Sequence, residues 1–122
     1  MKKKIICIIQ GRTGSERLPK KILLPVLGKS LFEHMLSRLK ELKNINQLCL
    51  ATTTKREDDV LCHIAKKNKI SVFRGSNKNV LKRFYDCAKK NKADTIIRLT
   101  ADCPLIDVKY INELVSIYNK NK

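Results

Sequence analysis

Tryptophan is absent from this 122-residue chain, and phenylalanine and tyrosine contribute only three residues each. So few rings, scattered along the chain, do not form the stacking platform on which single-stranded nucleic acid is bound. Acidic residues are also scarce, 11 against 27 lysines and arginines, which leaves a net charge of +16. The five cysteines (Cys7, Cys49, Cys62, Cys87 and Cys103) are odd in number and contain no Cys-x-x-Cys pair. That pattern argues against a disulfide framework and a structural zinc site, and reads as reduced, mostly buried small hydrophobes. No apolar run approaches the roughly 20 residues of a membrane span. Ile5 to Ile9, behind the Lys2 to Lys4 cluster, is too short for a signal-peptide core and opens into a charged loop, so a cytoplasmic protein is expected.

What is present fits one folded domain over residues 1–122, with 43% hydrophobic residues and no linker, repeat or low-complexity segment. The positive surplus invites a nucleic-acid reading. Its lysines, however, are spread along the chain among asparagines (Lys66 to Lys69, Lys89 to Lys92, Asn119 to Lys122), as on solvated helix faces. A polynucleotide partner is therefore not expected, although the charge would still draw small anions such as nucleotides.

The most informative stretch is Gln10 to Lys21, Gln-Gly-Arg-Thr-Gly-Ser-Glu-Arg-Leu-Pro-Lys-Lys. It follows Ile5 to Ile9, whose β-branched content suits a strand buried on both faces of a parallel sheet. A loop leaving such a strand lies at the carboxyl end, where open α/β sheets bind ligands. Gly11 and Gly14 permit close backbone approach, Thr13 and Ser15 supply hydroxyls, and Arg12, Arg17, Lys20 and Lys21 bring four cations into ten residues. The loop suits an anion such as a nucleotide phosphate; a merely solvated basic loop is the alternative. Its Gly-x-x-Gly spacing is neither Gly-x-Gly-x-x-Gly nor a P-loop.

Strand and helix then alternate. Ile22 to Leu27 is a short apolar segment closed by Gly28, and Ser30 with Glu33 has capping-box spacing before a helix running to about Lys43. Strands are expected at Gln47 to Thr53, Ile70 to Phe73 and Thr95 to Leu99. Helices are expected over Arg56 to Asn68 (Val60, Leu61, Ile64 and Ala65 inward), through Val80, Leu81, Phe84, Tyr85 and Ala88, and through Ile111, Leu114, Val115 and Tyr118. Helix-length crossovers imply parallel pairing, hence a three-layer α/β/α, mostly parallel Rossmann-like sheet.

A second chemical site is Thr100-Ala101-Asp102-Cys103-Pro104-Leu105-Ile106, which leaves the last strand. Asp102 there suits Mg²⁺, which takes one or two carboxylates plus phosphate oxygens. The alternatives are a helix cap or a pairing with Arg98. Cys103 reads as a packing residue, and His34 and His63 as structural or solvated, with no ligand partner at a useful spacing.

Ile8 to Leu23 resembles the amino-terminal signature of the cytidylyltransferases. That family includes the enzymes that activate acylneuraminate and 3-deoxy-manno-octulosonate and the spore coat polysaccharide biosynthesis protein F group. The last group has the pattern Q-A-R-x-G-S-T-R-L-P-x-K, from which this chain departs with Gly11 for Ala and Glu16 for Thr. Thr100 to Ile106 resembles its second signature, usually Gly-Asp-x-Pro-Leu-Ile, with Ala101 in place of the Gly. Val72-Phe73-Arg74-Gly75-Ser76 and Val80-Leu81-x-Arg83-Phe84 match its middle pattern, and Thr52 and Thr53 its Ala-Thr-Thr run. The ordered matches extend from Ile5 to Ile106.

The resemblance implies transfer of CMP from CTP to a sugar, one used for surface polysaccharide and acidic in the related enzymes, with release of pyrophosphate. Gln10, Gly11, Arg12, Gly14, Ser15, Arg17 and Lys21 would bind the nucleotide, with Arg12 and Lys21 also stabilising charge in the transition state. Arg74 and Gly75 would help select the base, and Asp102 would hold the Mg²⁺. Arg83 has two readings, facing the ligand or its own helix surface, and Thr52 and Thr53 serve either the strand end or the nucleotide. The family's later half carries the second metal carboxylate, the sugar pocket and much of a homodimer surface, and no residue here is assigned to those. The other functional readings are a nucleotide-binding module without turnover and a basic nucleic-acid-binding domain.

Overall fold

In the computed structural model the described residues are 3–14, 21–101 and 107–120. Four parallel strands form the main sheet: β1 (Ile5–Gln10), β4 (Gln47–Thr53), β5 (Ser71–Gly75) and β6 (Thr95–Thr100), in the order β5-β4-β1-β6. Between β1 and β4 lie a 3-10 turn (Lys21–Leu23), a small antiparallel hairpin of β2 (Pro25–Val26) and β3 (Lys29–Ser30), and helix α1 (Leu31–Leu39). A second 3-10 turn (Arg56–Asp58) leads into α2 (Asp59–Lys67); α3 (Val80–Lys90) precedes β6, and α4 (Val108–Lys120) follows it. The expected three-layer, parallel α/β/α architecture is what the chain adopts.

Central position explains the composition of β1. Flanked by two strands and covered on both faces, it has Ile6, Cys7, Ile8 and Ile9 without solvent exposure. Ile9 packs with Phe32, Met35, Leu36 and Leu39 of α1 and with Leu61 and Ala65 of α2. Ile5, on the same face, meets Ile111 and Val115 of α4. Ile6 and Ile8 point the other way, onto Phe84, Cys87 and Ala88 of α3. Thus α3 alone among these helices covers the second face.

The apolar segment Ile22 to Leu27 does not form the single strand its composition suggests. Ile22 enters the core, but the hairpin turns outward through Leu27 and Gly28, both with positive φ, and Leu27 is 93% exposed. The capping box is present: the Glu33 amide donates to Ser30 Oγ at 3.1 Å, and the Ser30 amide donates to Glu33 Oε1 at 3.4 Å. Val60, expected inward, is 40% exposed, because α2 begins only at Asp59, after the 3-10 turn. No helix among the described residues is long and apolar enough to cross a membrane.

Cys7, Cys49, Cys62 and Cys87 are free and buried. Burial pushes the Cys7 thiol up to about 12. Cys49 is raised by its hydrogen bond with Cys87, at an Sγ–Sγ distance of 3.5 Å, and by burial. Since the thiolate is the nucleophile, alkylation at pH 8 followed by peptide mapping is expected to leave Cys7 and Cys49 unmodified until denaturant is added. Full labelling of the Cys7 peptide in the native protein would contradict this packing.

Candidate functional site

The chain steps from β1 to β4 to β5 on one side of the sheet, and α3 then carries it back across to β6 on the other side of β1. The direction of strand order reverses between β1 and β6, so the crevice lies at the carboxyl ends of these two strands. The β1 exit begins Gly11-Arg12-Thr13-Gly14, and the β6 exit is Ala101, directly followed in sequence by Asp102.

These exits touch. The Ala101 amide donates to the Gln10 carbonyl at 2.8 Å, and the Gly11 amide donates to the Ala51 carbonyl at 3.2 Å. A Cβ on Gly11 would come within 2.7 Å of the Ala101 Cβ, closer than two such atoms approach. The two departures from the family pattern, Gly for Ala at 11 and Ala for Gly at 101, are therefore reciprocal. One methyl group occupies this space, and here it belongs to Ala101, which packs into the core beside Ile22.

Thr13 is fixed by Asp58, a carboxylate with no solvent exposure at the end of the second 3-10 turn. The Thr13 amide donates to Asp58 Oδ1 at 2.7 Å. Thr13 Oγ1 lies 3.0 Å from the same oxygen and 3.1 Å from the Glu57 carbonyl, and Thr53 Oγ1 donates to Asp58 Oδ2. Asp58 thus ties the β1 exit to the β4 exit. Its place at the charged start of the Arg56 to Asn68 helix gave no hint of this; the only signal was a run of three acids, Glu57 to Asp59, close behind the threonines.

The predicted site residues divide into three groups. Gln10, Gly11, Arg12 and Gly14 stand together at the β1 exit, with Arg12 exposed. Ser15, Arg17 and Asp102 lie outside the described residues, as does the side chain of Lys21. Arg74 and Gly75 close β5, which β4 and β1 separate from β6. Arg74 is engaged within the protein: Nε donates to the Thr53 carbonyl at 2.7 Å, Nη2 to the Lys55 carbonyl at 2.7 Å, and Nη1 to Asp59 Oδ1 at 2.6 Å. The hydrogen bond to Asp59 raises its pKa further. Thr53 serves Asp58, while Thr52 Oγ1 is buried with no hydrogen-bond partner among the described residues.

Of the two readings of Arg83, the helix-surface one is overturned by burial. Arg83 has no solvent exposure, and Nη1 donates to the Ser76 carbonyl at 2.8 Å. Gly75 makes room for its stem, since a Cβ there would lie 3.5 Å from Arg83 Cγ and 2.7 Å from the Phe73 ring. Burial, and then the neighbouring charge of Arg12, lower its pKa, against a smaller opposing effect from Asp58. An apolar groove of about 470 Å³, lined by Ile97, Ile111, Leu114 and Tyr118 among others, runs along β6 and α4 rather than across the strand ends.

A parallel sheet whose switch point lies beneath a loop bearing glycine and arginine defines a Rossmann-like α/β protein. Residues 6–122 match the cytidylyltransferase family, and the chain belongs to it. It is similar in structure to a cytidylyltransferase from Leptospira borgpetersenii, with a TM-score of 0.94 and 43% identity over 99% of this chain and 51% of the other. The spore coat polysaccharide biosynthesis protein SpsF of Bacillus subtilis is 36% identical over 93% of this chain and 49% of its own length. The 3-deoxy-manno-octulosonate cytidylyltransferase of Escherichia coli is 28% identical over 92% of this chain and 45% of its own. The chain spans about half the length of the curated relatives it matches.

Two substitution series test the site's framework by denaturant unfolding. Gly11→Ala is expected to cost about 1–3 kcal/mol through overpacking, most of it recovered when Ala101→Gly is added; simple additivity would refute the reciprocal contact. Asp58→Ala is expected to cost about 1–3 kcal/mol by stranding the buried Thr13 amide, and an unchanged midpoint would count against the network.

Proposed function

We propose that this chain is the nucleotide-binding half of a cytidylyltransferase that transfers CMP from CTP to a sugar. The observation that carries the reading is the junction at the switch point, where the Gln10–Ala101 hydrogen bond and the close approach of Gly11 and Ala101 hold the first residues of the two signature stretches side by side. A triphosphate lying on the β1 exit would meet the charge of Arg12 and Lys21, the backbone amides of Arg12 and Gly14, and the Ser15 hydroxyl. Family membership supports CTP as its source.

The reaction follows from charge. A sugar hydroxyl oxygen attacks the α-phosphorus while the bond to pyrophosphate breaks, so negative charge builds on phosphoryl oxygens and leaving group. Arg12 and Lys21 would stabilise that charge without moving, and loss of one such cation is expected to raise the barrier by about 2–4 kcal/mol, as for an oxyanion donor. The chemistry of the residues fits a magnesium ion, which takes one or two carboxylates together with phosphate oxygens. Asp102, the residue after Ala101, would hold it with phosphate oxygens, and the bound ion would offset triphosphate charge.

The acceptor is proposed to be an acidic sugar for a surface polysaccharide, with the reaction in the cytoplasm. The support is the Bacillus subtilis relative named for spore coat polysaccharide and the Escherichia coli relative named for 3-deoxy-manno-octulosonate. Calorimetric titration of CTP and then ATP, with and without Mg²⁺, tests the reading. Mg²⁺-assisted binding that favours CTP and is lost in Asp102→Ala is expected. Equal affinity for ATP, or no binding by the folded chain, would overturn it.

A further inference from the structure

Arg83 buries a guanidinium completely in the first turns of α3. Val80, Phe84, Cys87 and Ala88 recur at helical spacing and turn α3 onto the sheet, and Arg83 extends that buried stripe in the helix's opening turns. Asn79 caps the helix, its Oδ1 accepting from the Lys82 amide at 2.9 Å, so the position of Arg83 is set by the cap and the core. Its stem crosses Gly75, and the Ser76 carbonyl takes one donor, Nη1.

The remaining donors are aligned. Nε and Nη2 are both buried, and neither has a hydrogen-bond partner among the described residues. These two nitrogens form one edge of the planar guanidinium, from which two N–H groups point in the same direction, the geometry that pairs with two oxygens of a phosphate or carboxylate. A buried charge left without a partner is costly. Asp58, the carboxylate whose charge reaches Arg83, does not supply one. Both oxygens of Asp58 already accept hydrogen bonds from Thr13 and Thr53, and Asp58 forms no ion pair with Arg83. The other charged influence on Arg83 is Arg12, a second cation, so among the described residues its surroundings are short of negative charge.

We infer that the Nε–Nη2 edge of Arg83 is an anion-binding position of the nucleotide site, taking two oxygens of one phosphate group from beneath while Arg12 approaches from the exposed loop. This rests on the proposed nucleotide site and adds a residue on α3 to the strand-exit loops. An anion between Arg12 and Arg83 turns their mutual repulsion into two attractions. Gly75 then acts by keeping the path of the Arg83 stem open, a role separate from base selection. The edge is covered in the free chain, so entry requires it to shift, and the Ser76 carbonyl is the one hydrogen bond to a described residue that such a shift breaks.

The probes are inorganic pyrophosphate and CTP, titrated by calorimetry into the wild-type chain, Arg83→Lys and Lys82→Ala. Lysine keeps the charge but not the paired edge, and Lys82 is an exposed cation one residue away on the same helix. Arg83→Lys is expected to weaken pyrophosphate binding about ten- to a hundredfold, the size of a charge-assisted hydrogen bond or two, with Lys82→Ala unchanged. Folded Arg83→Lys that binds pyrophosphate as tightly as wild type would overturn the inference, as would CTP binding by wild type with no affinity for pyrophosphate. Wild-type binding of pyrophosphate that Arg83→Lys loses, with no preference for CTP over ATP, would keep the anion position and remove the cytidylyl reading. Should Arg83→Lys not fold, the arginine ¹⁵Nε–Hε spectrum of the wild type decides. A buried side-chain resonance that shifts on adding pyrophosphate supports the position, and an unmoved spectrum at saturation overturns it.

Discussion

The hydrogen bond from the Ala101 amide to the Gln10 carbonyl continues the β1–β6 ladder one step past its last strand residue, and the crevice depends on that step. Two loops 90 positions apart in sequence leave the sheet at one height because the ladder holds their first residues in register. The space between them is less than two methyl groups wide, so the pair of residues at 11 and 101 is under a joint volume constraint. This chain meets it with Gly11 and Ala101, the reverse of the family pattern. The swap preserves the approach of the loops while changing which strand supplies the carbon, and for that reason neither departure weakens the assignment of the loops.

Beneath the loops lie a carboxylate and a guanidinium that sit near each other but do not pair. Asp58 is saturated by one amide and two hydroxyls, a set of short-range bonds that needs no cation to be stable. Had it bridged Arg83 instead, both charges would have been neutralised internally and the region would have nothing to offer an anion. Spending the carboxylate on Thr13 and Thr53 stiffens the β1 exit and leaves the guanidinium edge available. The same three bonds thus account for the fixed position of Thr13 and for the guanidinium charge that Asp58 leaves unpaired.

How far this was legible in the sequence depends on the range of the interaction responsible. β1 and the Ser30–Glu33 cap follow from residues a few positions apart, and both are present as read. The parallel sheet followed from helix-length spacing between strands. The hairpin was not legible, because Leu24, Val26 and Leu27 look like core residues and yet stand in solvent once Leu27 and Gly28 adopt positive φ. Asp58 sits in Lys55-Arg56-Glu57-Asp58-Asp59, a run that composition assigns to a solvated face. Its burial is due to Thr13, 45 positions away. The Gly11–Ala101 contact and the pairing of Arg74 with Asp59 likewise exist only through strand register. Arg83 was nearer to legible, since it borders the apolar stripe of its helix, but only its missing partners separate it from an ordinary snorkelling arginine.

The net charge of +16 acquires a different meaning beside these sites. Exposed ion pairs such as Arg74–Asp59 and Lys82–Asp86 neutralise little of it, and the remaining cations repel one another across the surface. That repulsion is screened beyond about 8 Å at physiological salt, so its reach is that of an encounter rather than a bond. Arg12 belongs to this exposed population and Arg83 does not. In the proposed site, salt therefore weakens the capture of an anion by the loop more than its retention against α3, where the surroundings exclude the screening ions. The two arginines act on one ligand at successive distances, and the buried one discriminates by shape, because a paired N–H edge rewards a group with two properly spaced oxygens over a simple monovalent anion.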